Sequence, residues 1–247
     1  MSDDARVPSR RAALLARVLR FDAGGVDVAA TLHEICCVPV EDMGADGAVL
    51  TMMTPSAARL GQAIAGAYDA TSRAWEELQV TLGEGPSADA FASGRPVLVP
   101  DLDEVVQRWP GFASEALDAG LAAVHAFPVQ LGGIRYGVLT TYGRRPAPLG
   151  ADDQACLLEL ADIATVVLLD TVEEGTVDSV APRLLDAMDV HTEVYQAQGM
   201  VMVQLDVGLA EALARMRAHA FATGSSLTDL ARGIVAGEIR LSDEERP

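Results

Sequence analysis

The sequence predicts an α+β protein, an antiparallel sheet with flanking helices, followed by a small all-α module of three helices. Three observations carry this. Short β-rich apolar runs alternate with helical stretches between residues 47 and 142 and end in a hairpin pattern. Segments with helical apolar spacing bracket those runs on both sides. Beyond residue 182 strand signals cease, and only amphipathic helical stretches remain.

Taken in order, residues 11–20 are rich in Ala and Leu at helical spacing and predict a short amphipathic helix. Residues 26–37 predict another, with Val28, Leu32, Ile35 and Cys36 on one face. The period then changes. Residues 47–53 and 62–68 read as strands joined by a loop containing Pro55. Residues 75–80 fit a helical turn or a strand equally well. Gly83, Gly85 and Pro86 interrupt the chain, and a helix starts within 87–92. Val97, Leu98 and Val99 form the buried run of a strand over 95–100. Trp109, Pro110 and Gly111 precede a helix over 113–119. Strands over 122–130 and 135–142 flank Leu131, Gly132, Gly133 and Ile134, a tight-hairpin signal. A long helix is expected over 152–171.

The stretch 173–185, with its acids, Gly175 and Pro182, reads as a linker between a sensor-sized domain over 10–172 and a module over 186–241. The module's helices are expected over 186–205, 209–222 and 227–239, with Gly208 and Gly224 at the turns. The second places Leu209, Leu213, Met216 and Ala220 on one face, beside Ala212. The third does the same with Leu227, Leu230, Ala231, Ile234, Val235 and Ile239. Ser226 followed by Asp229 resembles a capping box and marks where that helix begins. Inside the first helix, the neighbouring small residues Ala197 and Gly199 suggest close approach of another helix.

Composition bounds the function. Half of the 247 residues are apolar, which suffices for a buried core. The most apolar helical run, 157–169, contains Glu159 and Asp162 and reads as a core helix, not a membrane span. Residues 1–11 carry Asp3 and Asp4 with no apolar block behind them, so no secretory signal is expected. Cys36, Cys37 and Cys156 make neither a disulfide framework nor a zinc spacing, which suits a reducing cytoplasm. His33 and His125 lack partners at metal-binding spacing, so no metal site is expected. No nucleophile–base pattern is present, so no catalytic residue is assigned. All 18 cations are Arg, and the formal net charge is −18, of which −17 falls on residues 21–182. So acidic a surface repels polyanions at long range, and composition alone speaks against nucleic acid.

Two local patterns speak for it. Residues 196–203 (QAQGMVMV), 212–221 (ALARMRAHAF) and 226–231 (SLTDLA) resemble the ANTAR family in order, spacing and residue type. Residues 82–90 (LGEGPSADA), 94–97 (GRPV), 109–112 (WPGF), 127–128 and 137–139 are similar to GAF domains of the type that precede ANTAR modules in actinobacteria. The resemblance implies a GAF-like sensor controlling an RNA-binding antiterminator, whose dimers hold paired stem-loops of a leader transcript. Gln198 and the pair Gly237–Glu238 stand where that family often has basic residues, and Ser87 where related sensors often have Cys.

By that resemblance Gln196, Gln198, Arg215, Arg217, His219, Arg232 and Arg240 are the candidate RNA contacts. Arginines suit phosphates, and a histidine or an amide can meet an unpaired base. Solvated arginines with local acid partners are the competing reading. In the sensor, Trp75, Trp109, Phe112 and His125 are candidates to line a ligand cavity, and core packing is the commoner fate of such aromatics. No residue singles out a cofactor or small-molecule ligand. Apolar stripes on the helices at 10–20 and 152–171 imply a homodimer. The alternative function is a small-molecule sensor whose module has lost RNA binding and only dimerises.

Overall fold

The computed structural model describes residues 9–22, 25–54, 61–173, 189–190 and 192–241. Helix α1 (Arg10–Val18) and helix α2 (Val28–Met43) begin at Ser9 and Asp27. The Ser9 and Asp27 side chains accept from the amides of Ala12 and Ala30, satisfying donors that the first helical turn leaves open. The two-residue strands β1 (Phe21–Asp22) and β2 (Gly25–Val26) pair between them.

The main sheet is antiparallel. Its strands are β3 (Gly47–Thr54), β4 (Gly61–Ala67), β5 (Val97–Val99), β6 (Ala123–Leu131), β7 (Ile134–Gly143) and β8 (Asp189–Val190), in the order β5-β6-β7-β3-β4-β8. Gly132 and Gly133 form the two-residue turn between β6 and β7, as the hairpin signal predicts. Each face of the sheet carries a core. On one face α1, α2 and α6 (Ala151–Glu173) bury Leu32, Ile35, Phe127, Leu139, Leu157 and Leu160. On the other, α3 (Ala70–Leu82), α4 (Pro86–Ser93) and α5 (Pro110–Asp118) close over Val49, Trp75, Trp109, Phe112 and Tyr142.

Three further helices follow, α7 (Thr192–Leu205), α8 (Leu209–Thr223) and α9 (Leu227–Val235). Their core contains Ala197, Val201, Leu213, Met216, Leu227, Leu230 and Ile234. Among the described residues no helix is long and apolar enough to cross a membrane, and no group of three or more His, Cys, Asp or Glu is placed to hold a metal ion.

Several elements differ from the sequence expectation. Helix α2 runs on through Pro39 to Met43, because Val38 and Pro39 face the core and burial outweighs the interior proline. The ambiguous stretch 75–80 lies inside α3. Helix α9 ends four residues early, at Val235. Gly237 adopts φ +76°, a left-handed conformation that stops the helix and turns Ile239 back onto Gly233. Asp189 and Val190, expected in the module's first helix, instead pair as a strand with Ile64 and Ala63 of β4. An unpaired sheet edge has open amides and carbonyls, and these two residues satisfy part of them. Most of the expected linker, from residue 174 onward, lies outside the described residues.

Candidate nucleic-acid interface

The three-helix module is built from local rules. Gly208 stands at the N-cap of α8, and Gly224 closes its far end in the left-handed conformation. Ser226 caps α9: its Oγ accepts from the amide of Asp229 and donates to that residue's carboxylate, at 3.0 and 2.9 Å. The α8 stripe is buried at Ala212, Leu213, Met216 and Ala220, whereas Leu209, expected on that stripe, is exposed. Ala197 is fully buried. Gly199 is exposed, and nothing lies within 4 Å of where its Cβ would stand, so the expected close helix approach there is not found.

Along the seam of α7 and the segment after α9 runs a groove of about 640 Å³. Gln196, Gly199, Met200, Val203 and Gln204 line it from α7, and Ile234, Gly237, Ile239 and Arg240 from the other side. Two of its apolar members are open to solvent, Met200 at 40% and Val203 at 86%, whereas Ile234 is buried. The stop at Gly237 shapes the groove, because it redirects the chain and carries Arg240 to the rim. Among the described residues, no acidic one lines it.

The structure sorts the seven sequence candidates into separate places. Gln196 and Arg240 meet in this groove. Gln198 is 1% exposed, and its amide donates to the Leu209 carbonyl at 2.6 Å. It ties α7 to the start of α8 and, so placed, presents nothing to a ligand. Arg215 pairs with Glu211 at 2.8 Å, one turn earlier on α8. Arg232 bridges Asp229 at 3.2 Å and Glu193 of α7 at 3.8 Å. Pairs as exposed as these contribute little to stability. His219 is half-buried on α8. Arg217 lies against the sensor: a Cβ at Gly83 would sit 2.6 Å from its Nη1.

In the sensor, Trp75, Trp109 and Phe112 come together in the core beneath α3 and α5. His125 does not join them. It alternates along β6 with Val124 and Ala126, which face that core, so it stands on the opposite face and reaches the Ala147 carbonyl through Nε2 at 3.2 Å. Burial lowers its pKa below the ordinary value.

Sequence reasoning missed a polar network beside those aromatics. Glu76 of α3 is fully buried, and its carboxylate accepts from Gln79, Ser87 and Tyr142. The Gln79 carbonyl accepts from the Ser87 amide at 2.9 Å, and Ser87 Oγ meets Thr140 Oγ1 at 2.9 Å. Burial pushes the Glu76 pKa up, although the hydroxyls of Tyr142, Thr51 and Ser87 favour its charged form. Spacing gave one usable sign, Glu76 and Gln79 one turn apart; the partners come from β7 and α4.

Comparison with known proteins gives the class. The GAF domain model matches residues 26–168 and the ANTAR domain model residues 183–235. The chain therefore belongs to the GAF domain family and carries an ANTAR domain behind its GAF domain; both are regulatory domains. The GAF domain of a phosphoenolpyruvate-protein phosphotransferase from Coxiella burnetii superposes with a TM-score of 0.52 at 14% identity, covering 71% of this chain and all of that one. Its counterpart from Acinetobacter gives 0.50 at 12% identity, covering 72% and 99%. At such identities the likeness concerns the fold alone. A free methionine-R-sulfoxide reductase from Neisseria meningitidis aligns at 19% identity over 68% of this chain and 91% of its own, with a TM-score of 0.42. No curated protein matches the chain in sequence.

Proposed function

We propose that this protein is a signal-responsive transcription antitermination regulator, in which the GAF sensor controls binding of leader-RNA stem-loops by the ANTAR module. One observation carries the reading: the groove that brings Gln196 and Arg240 to one site beside the exposed side chains of Met200 and Val203. A guanidinium holds phosphate, an amide can read a base edge, and apolar walls stack an unpaired base. A homodimer would present two such grooves to paired stem-loops, and the transcript places this work in the cytoplasm.

Sequencing of RNA that co-purifies with the full chain tests the reading and identifies the target. Enrichment of leader transcripts with tandem stem-loops is the expected result. Substituting Arg240→Gln or Gln196→Ala should weaken binding by roughly tenfold, the usual worth of one good polar contact to a nucleic acid. Equal retention by these variants would remove the groove from the interface.

A second reading is favoured by Gln198. Where the family often carries a cation, this chain has an amide sealed inside the module. A sensor whose module only dimerises would retain no RNA and still respond to a ligand in the GAF domain.

A further inference from the structure

Helix α3 has two working faces. Ser72, Trp75, Glu76 and Gln79 are buried in the sensor. One residue further on, Val80 is only 7% exposed, and the apolar cluster that buries it is the module's own, with Leu213, Met216 and Leu227. Thr81 Oγ1 accepts from the buried amide of Leu227, the first residue of α9, at 3.2 Å. That amide is among the donors a helix start leaves without a partner, and here the sensor supplies the acceptor. Gly83 then ends α3 in the left-handed conformation, at φ +70°, and its lack of a side chain leaves room for the Arg217 guanidinium. A second attachment lies upstream, where Asp189 and Val190 pair with the β4 edge just before α7 begins.

We propose that the last turn of α3 is an autoinhibitory latch: it docks the ANTAR module on the sensor and holds Arg217 against Gly83, so that sensor and RNA phosphate compete for the same guanidinium. This rests on the RNA-binding reading. The groove at Gln196 and Arg240 lies elsewhere on the module and stays open in the docked state, so the latch withholds part of the interface. A shift of α3 would loosen this dock, and the helix is anchored on its other face by the Glu76–Gln79–Ser87–Tyr142 network. A ligand that reorganises that network prefers one position of α3 and shifts the docked population.

Two full-length variants test this. Val80→Asp puts a charge where the module's apolar core now sits; Thr81→Val keeps the shape and removes the acceptor. The added acid of the first works against RNA, so any gain in binding is conservative evidence. Two readouts are needed: modification of Arg217 by a dicarbonyl reagent, followed by mass spectrometry, and the amount of cellular RNA co-purified per protein. In both variants Arg217 should react several-fold faster. RNA retention should rise, by about tenfold if the lost buried hydrogen bond carries the dock. Unchanged Arg217 reactivity would overturn the latch. Faster reactivity with unchanged retention, when wild type retains RNA, would overturn inhibition. Faster reactivity with no RNA on any of the three proteins would overturn the RNA-binding reading, and autoinhibition with it.

Discussion

At the scale of single residues, the carboxylates that matter most are those whose partners lie far away in sequence. Glu76 is buried among neutral donors, and its pKa stands above the ordinary 4.5. The folded state therefore holds the proton more tightly than the unfolded chain does. The resulting stability is fully present below pH 4.5 and is lost as pH rises through the folded value. Glu76→Gln removes this titration. Chemical denaturation from pH 4 to 8 should show the variant gaining on the wild type as pH rises; parallel curves would mean the acid is not buried in solution. Glu84 acts differently. Its Oε1 accepts from the amides of Gly111 and Phe112, at 2.8 and 2.9 Å, and so caps α5, whose own N-cap, Trp109, makes no side-chain cap bond. Glu84→Ala should cost about 1 kcal/mol, the usual worth of a helix cap, read as a lower midpoint in urea. The sequence shows this residue only as part of an odd Gly-Glu-Gly-Pro run. Its role depends on an acceptor reaching across 27 residues, which no local spacing displays.

Elements with a strong period were legible. The three module helices, the hairpin at Gly132 and Gly133, and the long helix behind it follow from apolar spacing and turn residues. Where the structure departs from the sequence expectation, tertiary contacts override local preference. Helix α3 shows no clean period over 75–80 because both sides of it are buried, one in the sensor and one in the module. Helix α2 passes Pro39 because its apolar face is covered by the sheet. The strand at Asp189 and Val190 has no signal of its own and exists because β4 offers an edge. Of the candidate site, the shared groove of Gln196 and Arg240 has no local sequence signal: it depends on Gly237 ending α9 early. The capping box at Ser226, by contrast, was visible and is present. Ser226→Ala should destabilise the module by about 1 kcal/mol. Amide exchange of Leu230 and Ala231 should quicken while the sensor's central strands are unchanged.

For the whole molecule, assembly and charge decide how RNA is met. The stripe of α1 is covered within the chain, since Leu14 and Val18 pack with α2 and α6, so it no longer argues for a dimer. Helix α6 still exposes Leu158 and Val166, at 44% and 46%. If α6 pairs between copies, light scattering at micromolar concentration should give a dimer, and Leu158→Arg with Val166→Arg a monomer.

Charge makes the last prediction. The sensor is strongly acidic and offers RNA no attraction, so the salt dependence of binding counts only the module's own phosphate contacts. Arg240 is available at the groove, Arg215 and Arg232 must leave exposed acid partners, and Arg217 is held at the sensor. At about 0.7 to 0.9 per neutralised phosphate, up to four such contacts give a log–log slope magnitude of roughly two to four per module. Because the latch withholds one of the four, Val80→Asp should steepen that slope by somewhat less than about one, as Arg217 joins the interface. Titrations of the enriched leader RNA at several salt concentrations measure both quantities. A slope near ten would place the binding surface elsewhere. An identical slope in the wild type and in Val80→Asp would show that the latch does not change the number of phosphates that Arg217 meets.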